Sequence, residues 1–157
     1  MALQKRATLL IKNIGQLVTM AGPAPRLGSQ MKQLEIIKDG GIAAAADEII
    51  AVGKSGEIEG QSFLAENCKI IDAKGAVVTP GLIDPHTHPV FSMTREDDFE
   101  MRTLGKSYEE IAEAGGGIRS SVRDLRKTPR DIIEKKTRAR LDRLLGHGIT
   151  TAEAKSG

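Results

Sequence analysis

Aromatic side chains are scarce in this sequence of 157 residues, which has three Phe, one Tyr and no Trp. A hydrophobic core must therefore be built mainly from Ile, Leu, Val and Ala. Long apolar runs are also missing, which excludes a membrane-spanning helix. Lys12 and Asn13 interrupt the short apolar stretch near the start of the chain, so a signal peptide is not expected there.

The sequence has one cysteine, Cys68, so an intrachain disulfide is excluded and a cytoplasmic location is expected. A catalytic cysteine would need a nearby His and Asn or Asp, and none is identifiable, so we interpret Cys68 as a strand residue. The net charge of +2 is too small to indicate nucleic acid or a membrane as a partner. The densest basic run, residues 119–143, also contains acidic residues and is typical of a solvated helix face.

The two halves of the chain have different patterns. Residues 1–79 contain short apolar runs between turn residues, which predict short strands. Turns are predicted at Asn13–Gly15 and at Lys38–Gly41, where Asp-Gly between apolar runs is typical of a hairpin. From residue 80 onward the pattern predicts a strand, helices and a second strand at Ile149–Ala154, and a crossover of this length fits parallel pairing.

Two helix starts are predicted between these strands. Ser107 and Glu110 have the spacing of a capping box and predict a short helix that three glycines end. Thr128 followed by Pro129 predicts the N-terminus of a longer helix, with Thr128 as its cap.

The most specific feature of the sequence is Asp84-Pro85-His86-Thr87-His88, which ends an apolar run that we expect to be a buried strand. Alternate side chains of a strand point the same way, so His86 and His88 can aim at one point while Thr87 faces away. Imidazole nitrogens are ligands for Zn²⁺ and for Fe²⁺. The pair therefore predicts half of a metal site; the alternative is two partly buried histidines at a strand end.

These residues carry a family resemblance. Val78–His88 resembles the first barrel strand of the amidohydrolase superfamily, whose members hold a metal at the mouth of a (β/α)₈ barrel and also have a small β-sandwich. The downstream residues are similar to the imidazolonepropionase family within it, at Phe91, Arg95-Glu96, Ser107–Ile118, His147–Thr151 and Glu153–Gly157. The resemblance implies an α/β fold in which residues 1–79 are part of the β-sandwich domain and residues 80–157 are the first βα units of an incomplete barrel.

The resemblance also implies roles for single residues. It makes His86 and His88 ligands of one divalent metal ion, zinc or iron. It makes Arg95 the contact for a substrate carboxylate, which a guanidinium fork matches in shape; taken alone, Arg95 is a surface arginine paired with a neighbouring acid. Tyr108 is a second substrate-binding candidate or a helix-surface residue, and Asp84 is expected to orient the site or its loop.

The implied activity is hydrolysis of the cyclic amide of 4-imidazolone-5-propanoate to N-formimidoyl-L-glutamate in histidine degradation. The implied partners are a small-molecule substrate and a second copy in a full-length homodimer. Met93 stands where the family has smaller residues, which is expected to affect substrate fit.

A (β/α)₈ barrel needs about 250 residues. The remaining metal ligands and the acid–base residues are therefore expected outside this chain, which alone is expected to be inactive. Another amidohydrolase, such as a cyclic amidohydrolase or an aromatic deaminase, and a non-catalytic module are the alternatives.

Overall fold

The computed structural model describes residues 5–61 and 63–155. The chain divides into two compact units, residues 1–80 and 81–157. The first unit consists of five strands, one short helix and a 3-10 turn at Gly28–Lys32. These elements are β1 (Ala7–Val18), β2 (Ile36–Ala45), β3 (Glu48–Lys54), α1 (Ser55–Glu59), β4 (Leu64–Asp72) and β5 (Val77–Val78).

A mixed sheet forms the first unit, with the strand order β3-β2-β1-β4 and with β5 also paired to β1. Strand β1 is antiparallel to β2 and parallel to β4 and β5. Leu10 and Ala43 of neighbouring strands form a buried cluster with Ile58 of α1. Cys68 lies in β4 and packs against this cluster, which confirms its interpretation as a strand residue. The core is therefore aliphatic, as the scarcity of aromatics requires.

The two predicted turns in this unit are wrong. Strand β1 runs through Asn13–Gly15 and strand β2 runs through Lys38–Gly41. At these points Asn13 and Asp39 have φ angles of 55° and 52°, and β1 contains one extra residue relative to β2. Asn, Asp and Gly tolerate this backbone region in β-bulges as well as in turns, so the same residues are typical of both. The hairpin between β2 and β3 turns instead at Ala46, which has a φ of 53°.

The second unit has two strands and four helices: β6 (Leu82–Thr87), α2 (Glu96–Thr103), α3 (Tyr108–Glu113), α4 (Gly117–Lys127), α5 (Arg130–Gly146) and β7 (Ile149–Ala154). Strands β6 and β7 pair in parallel, which confirms the predicted strand–helix–strand order. Helix α2 was not predicted, although three acidic residues in its first turn suit a helix N-terminus. In the described part of the chain, no helix is long and apolar enough to cross a membrane.

One of the two predicted helix starts is confirmed. The Ser107 hydroxyl accepts the Glu110 N–H at 3.2 Å, and the Glu110 carboxylate accepts the Ser107 N–H at 2.8 Å. The other prediction is wrong by one residue, because Pro129 is the N-cap of α5. Thr128 instead ends α4, where its hydroxyl donates to the Asp124 carbonyl at 2.9 Å. Only two residues separate the two helices, and the Thr128 hydroxyl binds a backbone carbonyl at the end of α4 rather than an N–H at the start of α5.

The expectation that the histidine strand is buried is also wrong for this structure. Leu82 is 52% exposed and Ile83 is 69% exposed. None of the residues of the fully described helix α5 is buried either. Parallel strands are normally covered on both faces by helices and further strands, and this pair has few neighbours to cover it.

Candidate functional site

The two histidines come together at the carboxyl end of β6. His86 is the penultimate residue of the strand and His88 follows its last residue. Their ring centroids are 5.4 Å apart, with an angle of 66° between the planes. Both residues are exposed. The alternation of the strand therefore brings the two imidazoles to one side, where they are open to a ligand.

Asp84 stabilises the backbone of this strand end. Its carboxylate accepts the His86 N–H at 3.1 Å. Pro85 has no N–H to contribute to the strand ladder, and the β6–β7 register shifts between Asp84 and Thr87. The carboxylate thus gives the His86 N–H a partner within the strand end.

The spacing of the two rings fits two ligands of one metal ion. A tetrahedral ion bonded at about 2.0–2.1 Å to one nitrogen of each ring holds the two ring centres roughly 5 Å apart. Among residues 5–61 and 63–155, no group of three or more His, Cys, Asp or Glu side chains has the arrangement of a metal site. The described residues therefore offer two ligands and not a complete coordination shell.

A cleft of about 540 Å³ opens beside His88. Arg95 and Met93 line it together with apolar side chains of α4, among them Ile118 and Val122. His88 and Arg95 therefore face one apolar cleft, with an imidazole and a guanidinium as its charged or ionisable groups. A ligand with an anionic group and an apolar body matches this combination.

Arg95 also has an acidic neighbour. Its guanidinium lies 3.7 Å from the Asp98 carboxylate, and its side chain is 46% exposed. This contact agrees with the pairing that the sequence suggested for Arg95 taken alone, and it leaves much of the guanidinium accessible. Tyr108 is 59% exposed and lines neither of the two clefts that the described residues form around Met93 and Arg95.

The glycine triplet after α3 makes room for Asp98. The Asp98 carboxylate accepts the Gly117 N–H at 2.9 Å. A Cβ atom on Gly116 would collide with that carboxylate and would lie 2.9 Å from the Ile111 side chain. Gly115 has a φ of +89°, which glycine adopts without strain. Sequence reasoning missed Asp98, because one acid in the run Glu96-Asp97-Asp98 has no distinguishing local signal.

Other residues near the strand ends have structural contacts. Lys155 lies 3.2 Å from the Glu153 carboxylate. His147 is the exposed C-cap of α5. Ser156 and Gly157, which end the motif noted in the sequence, lie outside the described residues.

Curated relatives match almost the whole chain. It is 44% identical over 153 residues to the imidazolonepropionase of Geobacillus sp. (strain WCH70), a match that covers 95% of this chain and 36% of the relative. It is 45% identical over 148 residues to the imidazolonepropionase of Alkaliphilus oremlandii (strain OhILAs), covering 94% and 35%. The chain thus spans about a third of the length of the curated relatives it matches.

Solved structures share the fold at low sequence identity. An adenosine deaminase from Xanthomonas campestris with bound zinc has a TM-score of 0.60 and 16% identity, covering 98% of this chain and 30% of that one. The atrazine chlorohydrolase of Arthrobacter aurescens TC1 complexed with zinc has a TM-score of 0.52 and 23% identity, covering 93% and 28%. These likenesses support the α/β fold.

A family model gives the most direct classification. The model described as "Amidohydrolase family" matches residues 69–157, which is more than half of the chain. The matched range includes the histidine pair, Arg95 and the glycine triplet. The chain belongs to the amidohydrolase family.

Proposed function

We propose that this chain is the N-terminal part of an imidazolonepropionase, which hydrolyses the cyclic amide of 4-imidazolone-5-propanoate to N-formimidoyl-L-glutamate in histidine degradation. The observation that carries the proposal is that His88 and Arg95 line one cleft, beside the second imidazole of His86. The identity of 44% to an imidazolonepropionase over most of the chain supports the same activity.

We assign residues 80–157 to the first βα units of a (β/α)₈ barrel and residues 1–79 to the N-terminal part of a composite β-sandwich. The parallel β6–β7 pair and the exposure of Leu82 and Ile83 support this assignment, since further barrel strands and helices would cover them. A homodimeric, cytoplasmic enzyme remains a prediction.

In this proposal His86 and His88 are two ligands of one divalent ion, zinc or iron. Their ring spacing and their exposure at the carboxyl edge of β6 support the assignment, and two proteins of similar fold are described with zinc. Such an ion would supply Lewis acidity and would lower the pKa of a bound water to about 7. Asp84 holds the backbone of the strand end through the His86 N–H.

Arg95 orients the substrate in this proposal. Its guanidinium binds the propionate carboxylate and places the ring toward the histidines, and the apolar wall of the cleft accepts the ring. Hydrolysis adds the OH of water to the carbonyl carbon, the lactam C–N bond breaks, and the ring nitrogen takes up the proton. We assign the acid–base steps to residues outside this chain.

The test compares histidine variants in the full-length gene product that contains this chain. His86→Ala is expected to lose bound metal and to lower kcat/KM for 4-imidazolone-5-propanoate at least about 100-fold. His147→Ala is the matched control, because this third histidine is an exposed helix cap. The readouts are metal content by elemental analysis and substrate turnover. Unchanged metal content and turnover in His86→Ala would overturn the proposal, and wild-type turnover of an aromatic amine instead would favour a deaminase.

A further inference from the structure

Residues 89–92 connect the second histidine to the stretch that ends at Arg95, and we call them the connecting segment. Arg140 of α5 donates from Nη1 to the carbonyls of Pro89 and Phe91, at 3.0 and 2.6 Å. The Cζ atom of the same guanidinium lies 3.4 Å from the centroid of the Phe91 ring. One side chain of α5 therefore contacts the connecting segment in three ways.

Two further side chains contact the end of the connecting segment. Lys136, one helical turn before Arg140, donates to the Ser92 carbonyl. The Ser92 hydroxyl donates to the carboxylate of Asp124 on α4, and Ser92 is only 3% exposed. The spacing of four residues places Lys136 and Arg140 on one face of the helix. Helices α4 and α5 thus hold the segment from Pro89 to Ser92.

These contacts are specific to a guanidinium. A planar fork can donate to two carbonyls and stack on a ring at the same time, whereas an ammonium on a flexible stem acts as a single point donor. Burial lowers the pKa of Arg140, with a smaller contribution from the charge of Arg143, and the group still stays protonated at neutral pH. Arg140 is thus an exception within residues 119–143, which the sequence suggested to be a solvated face.

We propose that Arg140 is a positioning residue, which fixes the connecting segment and thereby sets the separation of His88 and Arg95 across the cleft. Arg140 does not line that cleft, so its effect reaches the substrate through the segment. The inference rests on the proposed function, in which His88 binds metal and Arg95 binds the substrate carboxylate.

The test uses the zinc-loaded, full-length gene product with Arg140→Met, Arg140→Lys and the control Arg138→Met, since Arg138 is an exposed arginine of the same helix. Arg140→Met is expected to raise both KM and the zinc dissociation constant on the order of tenfold. Arg140→Lys is expected to raise KM and the zinc dissociation constant by a smaller factor than Arg140→Met, and Arg138→Met is expected to change neither value. Amide hydrogen exchange of residues 90–92 is expected to rise most in Arg140→Met, less in Arg140→Lys and not in Arg138→Met.

Each outcome supports or overturns the inference. A lower melting temperature of Arg140→Met with unchanged KM and zinc affinity would make the contacts merely structural and would overturn it, as would full recovery in Arg140→Lys. If wild type fails to hydrolyse the substrate, the proposed function fails, and zinc affinity with hydrogen exchange still shows whether Arg140 positions the segment. If Arg140→Met does not fold, Phe91→Leu removes the ring contact. Because Phe91 also lines the cleft, the readout there is amide hydrogen exchange of residues 90–92, which is expected to rise; unchanged exchange would overturn the inference.

Discussion

The two units of the chain differ in what holds them together. Seven of the eight buried hydrophobic residues in the described part of the chain lie in the first unit, and only Ile111 lies in the second. The second unit exposes large apolar side chains, such as Ile83, Phe99 and Leu104. A sheet of several strands with its own helix forms a small buried core, although side chains such as Ile49 stay exposed, whereas the single parallel strand pair of the second unit forms almost none.

Polar contacts order the loops of the second unit. Arg140 and Lys136 bind backbone carbonyls after the histidines, and Asp98 binds a backbone N–H of the glycine turn. These contacts order loops rather than a core. We therefore expect substitutions of the same type to have different effects in the two units, and the following predictions test this difference.

The largest effect is expected in the core of the first unit. Leu10→Ala removes a fully buried side chain and is expected to lower the free energy of unfolding by about 2–5 kcal/mol. Ile83→Ala is the matched variant in the second unit, where the side chain is 69% exposed, and is expected to cost less than about 1 kcal/mol in this chain. Denaturant unfolding measures both. Equal losses of unfolding free energy in the two variants would show that the two units do not differ in how far they depend on buried side chains.

A smaller effect is expected at the glycine turn of the second unit. Gly116→Ala would press a methyl group against Asp98 and against Ile111, whose carbonyl would lie 3.0 Å away, and is expected to cost about 1–3 kcal/mol. Gly146→Ala, at a helical glycine with open space around it, is the control and is expected to stabilise the chain slightly. Thermal unfolding distinguishes them. An unchanged unfolding temperature in Gly116→Ala would show that the turn accommodates a methyl group without loss of stability.

The smallest effect is expected from the pH dependence of the α3 cap. The ammonium of Lys106 and the Ser107 N–H hold the pKa of Glu110 below its ordinary value of 4.5. A carboxylate whose pKa is lower in the folded state stabilises the fold above 4.5, and this contribution is lost as the pH falls through the folded-state value.

Glu110→Gln should therefore flatten the fall in stability below pH 4.5, whereas Glu113→Gln, at the other end of the same helix, serves as the control. Unfolding midpoints measured from pH 6 to pH 3 provide the comparison. The same slope in both variants would show that the cap contributes nothing to the acid sensitivity.

Elements with short-range signals were the most predictable from the sequence. The capping box at Ser107, the strand at Ile149–Ala154 and the convergence of His86 and His88 each depend on residues within a few positions of one another. The turns predicted at Asn13 and Asp39 were wrong, because residues that tolerate a positive φ occur within strands as well as in turns, and only the partner strand distinguishes the two.

The sequence alone was enough to identify the histidine pair, the arginine that follows it and the family resemblance. Strand alternation and helix capping act between residues a few positions apart, so their signals can be recognised without the fold. The contacts of Arg140, Ser92 and Asp98 depend on the tertiary structure, since they join residues that are 19 to 51 positions apart. No local pattern marks which arginine of α5 turns toward a loop. Packing of the helices against the connecting segment decides it, because buried carbonyls require a donor wherever the fold leaves them.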